Sequence, residues 1–373
     1  MKESLSRREF MRAGALTVLG AAGTVGFSQV SNRPDSLRPE DLPNDICGIN
    51  TSGQAASRAL TGPPFQEGHG NPQDKGHDMA STVGEVNHAR NGFNPTDLLT
   101  DFDFGQVSTL DNGQTLREYN FVAVDQVIEI VPGIEFPAWS YNGRIPGPTI
   151  RCTEGDRVRI RFTNGSTHPH TIHFHGIHPF EMDGVPGAGP GLIHPGENFV
   201  YEFEAEPFGL HLYHCHAFPL ARHIAKGLYG ALIIDPKEGR PPVDHEFIMV
   251  MNGIDVDFDD ENDFYAVNTI PFHYQNHPIP LKVGEKVRLY LVNILEFDLI
   301  NSFHLHANFF HYYPTGTSLT PSEFTDTIVQ GQAQRGILEF TYKFPGRFMF
   351  HAHVTEFAEL GWAGNFDVSD VAL

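Results

Sequence analysis

Cysteine is scarce in this chain of 373 residues: there are three, too few for a disulfide framework. Basic residues are short as well, 25 Lys and Arg against 46 Asp and Glu, for a formal charge of −21. Phosphate binding needs clustered cations, so this balance argues against nucleic acid and anionic membrane surfaces as partners. It reads as the well-hydrated surface of a soluble, exported protein. Helical periodicity sustained over ten or more residues is missing, which turns the fold away from helical architectures. What the chain does hold in excess is histidine, 21 in all, and many of these fall in pairs one residue apart, which charge alone does not explain.

The length suggests two or three domains, and 40% hydrophobic residues can fill ordinary cores. Ser6-Arg7-Arg8-Glu9-Phe10, followed by a small-residue apolar run from Ala13 to Phe27, has the form of a twin-arginine signal over residues 1–30. This predicts export to the periplasm or beyond; retention as a membrane anchor stays open, because no clear cleavage site follows. Residues 31–110 are rich in Pro, Gly, Asn and charge and read as an irregular arm, with His69, His77 and His88 as solvated polar residues. Beyond it, short β-rich runs such as Tyr119 to Val131 and Leu228 to Asp235 alternate with Gly, Pro and Asn. That pattern predicts all-β, antiparallel sandwiches with Greek-key connections.

An internal repeat divides this region. Gly155-Asp156-Arg157-Val158-Arg159 is echoed by Gly284-Glu285-Lys286-Val287-Arg288. His173-Phe174-His175 is echoed by His304-Leu305-His306, and His214-Cys215-His216 by His351-Ala352-His353. Each copy closes on a Gly-x-x-Gly segment, from Gly227 and from Gly361. Two similar domains are therefore expected at 111–238 and 239–373, with the break near Pro241-Pro242.

Residues two apart on a strand share a face, so His214 and His216 point one way and Cys215 the other. By the same parity His170 lies opposite His173 and His175 and joins Cys215. His223, eight residues after Cys215, completes a His₂Cys set of the blue-copper kind. A weak axial Met would be expected at position 228, which holds Leu228. Leu cannot ligate, so a raised reduction potential is expected. The second copy has Asn301, Ala352 and Phe357 in place of His170, Cys215 and His223. It loses the whole trio yet keeps both histidine pairs, which implies a different metal centre served by four pairs in all.

The segments His170-Thr171-Ile172-His173-Phe174-His175, His214-Cys215-His216, His304-Leu305-His306 and His351-Ala352-His353 resemble the four copper motifs of multicopper oxidases. The likeness is to two-domain, laccase-like members with blue copper in the first domain, related to copper nitrite reductases. It implies two tandem cupredoxin-like domains and about four coppers per chain: one type 1 copper and a trinuclear cluster. It also implies homotrimers with each cluster between neighbouring subunits. By this resemblance His173 and His304 hold the type 2 copper. One type 3 copper takes His216, His306 and His351, the other His175, His214 and His353. Asp183 resembles the family's acid near the cluster, while its Asp183-Gly184 context equally suits a turn.

The activity so implied is one-electron oxidation of a donor coupled to four-electron reduction of dioxygen to water. A copper nitrite reductase is the competing enzyme; its usual pattern has Asp at the position of His173 and no His at 216. Copper carriage or electron transfer alone would not need four pairs. The donor stays open between a phenol, a metal ion and a redox protein; the seven Met are scattered and do not signal a cuprous-ion oxidase. His168, His178, His194, His211, His245 and His311 read as structural, with His211 in reach of the copper ligands. Cys47 and Cys152 are the remaining thiols and would form a disulfide after export if they met.

Overall fold

The computed structural model describes residues 84–370. The expected signal segment, most of the expected arm, and with them Cys47, His69 and His77, lie outside the described residues. What is described is mostly strand, and among these residues the longest helix, Leu220–Ala225, has six residues.

Two β-sandwiches follow one another. One sheet of the first runs in the order Phe102–Asp103, Thr149–Thr153, Tyr229–Asp235, Gly209–His214, His173–Phe174. Its facing sheet holds Gln106–Thr109, Thr115–Val131, Arg157–Asn164 and Asn198–Glu204, with Ile134–Tyr141 paired to the long second strand. Arg157–Asn164 alternates: Val158, Ile160 and Phe162 enter the core, while Arg159 and Arg161 stay outside against Glu118 and Glu202. The second sandwich pairs Phe264–Val267, His245–Ile254, Lys286–Asn293, Arg335–Thr341, Phe310–Pro314 and Glu323–Thr325 in one sheet. Ile279–Lys282, Ala363–Ser369, Gly346–His351, Ile300–Leu305 and Thr327–Gly331 form the other.

The repeat seen in the sequence is also a repeat of pairing. Thr115–Val131 runs parallel to Arg157–Asn164, as His245–Ile254 does to Lys286–Asn293. Thr149–Thr153 runs parallel to Tyr229–Asp235, as Ile279–Lys282 does to Ala363–Ser369. The register places His173 opposite His214 and His304 opposite His351. Equivalent histidines therefore meet in equivalent frames.

A third apolar cluster lies between the sandwiches. Leu210, Leu212 and Ile233 of the first meet Ile248, Val250, Tyr290 and Val292 of the second. This explains why Gly209–His214 and Lys286–Asn293 are buried on both faces: alternate residues face their own core and the neighbouring domain. Each fully buried Leu or Ile contributes roughly 1.5–3 kcal/mol, enough to make the pair of domains one unit. Polar contacts fix the register of the joint. Leu210 N donates to Thr315 O at 2.7 Å, Arg335 Nε donates to Leu210 O at 2.9 Å, and Arg151 bridges Asp235 and Glu246 at 2.8 Å each.

The described end of the expected arm, residues 84–110, is built into this fold rather than irregular. Two four-residue helices, His88–Asn91 and Pro95–Leu98, are capped by the side chains of Asn87 and Asn94. Val86, Phe93 and Leu98 pack into the interdomain cluster, and Phe102–Asp103 and Gln106–Thr109 join the two sheets of the first sandwich. Single turns bury one or two apolar side chains each, too few to register as a period.

Candidate metal centres

His170, Cys215 and His223 come together in the first sandwich, all buried. Cys215 follows Gly209–His214 on the face that carries Tyr213 into the core, opposite Leu212. His223 sits in the helix Leu220–Ala225, and His170 is held by a bridge to Ile193. Cys215 Sγ lies 3.3 Å from His223 Nδ1 and 3.9 Å from His170 Nδ1, and the two Nδ1 atoms are 3.1 Å apart. Thr171 N donates to the same sulfur at 3.4 Å.

The tautomer of His170 follows from its neighbours. Ser166 Oγ lies 2.8 Å from the Asp125 carboxylate, which only accepts, so the hydroxyl proton goes there. The Ser166 oxygen then accepts from His170 Nε2–H at 2.9 Å, and the Nδ1 lone pair is left facing the thiol. Burial would raise the Asp125 carboxyl, but the hydrogen bonds from Ser166 and Thr167 outweigh it and hold it below its usual range. Burial lowers His170 to about 3 and His223 to about 4, so both rings are neutral donors at pH 7. Burial also pushes the Cys215 thiol up to about 11; a cation bound there must displace its proton. Trp139 covers the site, its ring 4.7 Å from His223 and 5.2 Å from His170, with Lys226 Nζ over the indole at 4.8 Å. Leu228 is fully buried in the same cluster and is tied in by its backbone, accepting from Cys215 N at 2.9 Å.

The other eight histidines form two quartets, one per sandwich. In the first, His175 Nε2 and His214 Nε2 are 2.9 Å apart, and the His173 ring lies 5.3 Å from that of His216. In the second, His306 Nε2 and His351 Nε2 are 3.0 Å apart, and His304 lies 5.2 Å from His353. Carbonyl acceptors fix the tautomers in parallel. His214 Nδ1 donates to Cys215 O and His351 Nδ1 to Ala352 O; His173 Nδ1 donates to Asp183 O and His304 Nδ1 to Asp326 O. All four bonds leave Nε2 as the free lone pair. Burial lowers His175 to about 3 and His214 to about 4, and it also lowers His173, His306 and His351. His216 Nδ1 is buried without a hydrogen-bond partner. Converging neutral imidazoles and an orphaned ring nitrogen suit soft or borderline cations such as copper. Among the described residues no hydrogen bond or ring contact joins one quartet to the other.

Asp183 touches the first quartet. Its carboxylate Oδ1 is 3.1 Å from His173 Nδ1 and 3.5 Å from His178 Nε2. Gly184, at φ 68°, lets this turn press on the Ile172 carbonyl where any Cβ would clash. His178, read from sequence as structural, therefore belongs with Asp183 and His173. His211 is buried and donates from Nε2 to Pro207 O at 2.9 Å; it does not join the trio or the quartet. Cys152 is buried, its thiol 3.8 Å from Ile233 O; Cys47 lies outside the described residues.

The trio's place in the second sandwich is filled. Asn301, Ala352 and Phe357 are buried there around Trp362, whose Nε1 donates to Asn301 Oδ1 at 3.1 Å. The backbone frame is the same in both. Ala352 N donates to Trp362 O as Cys215 N does to Leu228 O, and His353 N donates to Ser302 Oγ as His216 N does to Thr171 Oγ1. Sequence reasoning found the missing ligands but not the plug. Ser166, Asp125 and Trp139 were missed too, since nothing in their spacing marks them.

Comparison with known proteins identifies the family. Family models described as multicopper oxidase match residues 125–239 and 248–372. A solved multicopper oxidase structure is 63% identical, with a TM-score of 0.75, covering 76% of this chain and all of that one. A copper nitrite reductase structure from Nitrosomonas europaea is 26% identical with a TM-score of 0.63, covering 68% of this chain and 94% of that one. The copper-containing nitrite reductase of Neisseria meningitidis is 31% identical over 254 residues, 62% of this chain and 63% of that protein. With a matching family model over each sandwich and a neighbour matched along its whole length, the chain belongs to the multicopper oxidase family, two cupredoxin-like domains related to the copper nitrite reductases.

Proposed function

We propose that this protein is an exported, laccase-like oxidase that takes electrons singly from a donor and reduces dioxygen to water. The observation that carries the reading is the convergence of four His-x-His pairs into two quartets, in each of which carbonyl acceptors fix the tautomer of two imidazoles, beside a separate buried His₂Cys trio. His170, Cys215 and His223 would hold a type 1 copper. His173 and His304 would hold the type 2 copper, and His175, His214, His216, His306, His351 and His353 the type 3 pair. So loaded, the four coppers together would hold the four electrons that dioxygen needs, one at the His₂Cys trio and three across the paired quartets.

The chain's own residues connect these sites. Cys215 is bonded through the backbone to His214 and His216, so one tripeptide spans the trio and the first quartet. Asp125 and Ser166 orient His170. Asp183 holds His173 and His178 and is positioned to carry a proton at Oδ1 beside the quartet. Leu228, with no donor atom where a Met would be expected, supports a high potential at the trio.

Because the quartets do not meet within a chain, each cluster is proposed to be completed by a neighbouring copy in a homotrimer. Export rests on Ser6-Arg7-Arg8 and the apolar run after it; among the described residues no helix is long and apolar enough to cross a membrane.

Nitrite reduction is the second reading, favoured by the relatives of that name. His173 and His216 weigh against it, because a single catalytic copper would not need a full quartet from each domain. Copper per chain, measured with oxygen uptake from a generic one-electron donor, tests the choice. About four coppers with uptake support the oxidase; about two, with nitrite consumed and no uptake, would replace it with the reductase.

A further inference from the structure

A third group of histidines lies apart from the trio and the quartets. His273 opens a short helix, His273–Asn276, and His277 follows it. Four residues apart, they share a face, and their rings stack at 4.6 Å. His88, from the helix His88–Asn91, meets His273 edge-on at 5.0 Å and His277 at 6.4 Å. One nitrogen of each ring lies within 4.8 Å of the others.

We propose that His88, His273 and His277 bind one divalent transition-metal ion of imidazole preference, zinc(II) or copper(II), at a site distinct from the oxidase centres. Three features support it. His88 Nδ1 is buried with no hydrogen-bond partner, an arrangement that costs stability unless something fills it. The three rings line a cavity of about 10 Å³, room for a single ion or water. Glu85 Oε1 lies at the rim, 3.2 Å from His277 Nε2, where it can ligate or orient that ring. His273 already spends Nε2 on Thr96 Oγ1 at 2.8 Å, which fixes the ring and leaves one nitrogen for a ligand. Burial lowers His88 and brings His273 to about 3, so both are neutral. Tetrahedral zinc bonds of 2.0–2.1 Å place ligand nitrogens about 3.3 Å apart. The partly exposed His277 ring can rotate to close that gap.

The consequence is mechanical. His88 lies on the segment that precedes the first sandwich, and His273 and His277 belong to the second sandwich. An ion here would staple the leading segment to that domain and raise the stability of the whole.

Zinc chloride titrated calorimetrically into full-length protein that has been loaded with copper and then freed of exchangeable copper(II) by dialysis against EDTA tests the site, with His277→Gln and His88→Gln as variants. The wild type is expected to take up one zinc per chain more than either variant, and zinc is expected to raise its Tm but not theirs. Equal uptake and an equal Tm response in all three proteins would overturn the proposal. So would full uptake in either variant, since the site needs three rings. Matching Tm values without zinc show that the variants fold. The readout is zinc, so it stands or falls independently of copper count and oxygen uptake.

Discussion

The separation of the two quartets makes a sharp prediction about assembly. Replace His175 by Ala in one chain and His351 by Ala in another. His175 is one of the 2.9 Å Nε2 pair in the first quartet and His351 one of the 3.0 Å pair in the second, so each variant alone loses every cluster and all oxygen uptake. Now express both together with different tags and purify through both, keeping only mixed assemblies. In a head-to-tail ring each cluster joins the first quartet of one chain to the second quartet of the next. A mixed trimer of either composition has one junction at which both contributing quartets are intact. Oxygen uptake should therefore return to about one third of the wild-type rate per chain, while every chain keeps its type 1 trio and its blue colour. Clusters built within a single chain would give no recovery at all, and that outcome would refute the intersubunit arrangement.

Other expectations follow from single side chains. Cys215→Ser should abolish the intense thiolate absorption while leaving most of the remaining copper bound, because the quartets keep all their imidazoles; retained colour in the visible spectrum would show that Cys215 is not the ligand. Leu228→Met should lower the reduction potential of the blue site, measured by redox titration, by supplying the missing axial donor. Trp362→Ala should cost about 3–5 kcal/mol in urea denaturation, since it empties a fully buried position and removes one of the two donors to Asn301 Oδ1, the other being Ser302 N; a loss under 1 kcal/mol would mean the pocket collapses freely. His211 has its folded pKa lowered to about 4 by burial, below the unfolded 6.5. Its contribution is present above pH 6.5 and is lost as pH falls from 6.5 toward 4, at about 1.4 kcal/mol per unit. His211→Gln should flatten the fall in urea midpoint over that window, whatever it does at pH 7.

Much of the site was legible because metal ligation demands rare residue types at fixed strand parity. Period-2 geometry alone separated Cys215 from His214 and His216, and the structure sends Cys215 into the core with Tyr213 while His214 faces His175. His170 was placed with Cys215 although no regular strand reaches it; an isolated bridge to Ile193 does that work. The groups that orient the ligands were not legible. Ser166 and Asp125 meet at the end of two neighbouring strands of one sheet, 41 residues apart in the chain, and an ordinary Ser or Asp carries no mark of such a role. His88 looked like a solvated residue of an arm, because the partners that bury it come from residues 273 and 277, far along the chain. The double burial of Gly209–His214 was hidden for a related reason: a strand buried on both faces has no alternation to read.

The two sandwiches also show why one domain can lose a metal site and keep its place in another. The quartet of the second domain is positioned by backbone: Ala352 N on Trp362 O, His353 N on Ser302 Oγ, and the His304 register against His351. None of these bonds requires a ligand at 301, 352 or 357. What the absent trio does require is a filler, because a void of side-chain size costs about 24 cal/mol per Å³. Trp362 stands where the first domain has Leu228, with its indole nitrogen on the Asn that replaces His170. The plug keeps the frame filled, and on the proposed reading it leaves Cys215, whose neighbours His214 and His216 belong to the first quartet, as the point of electron entry. On that reading the first domain would hold both the entry site and half of the proposed reducing centre. The second domain would supply the other half, and its histidines His306 and His353 are exposed in the single chain, as the proposed contact with a neighbouring copy requires.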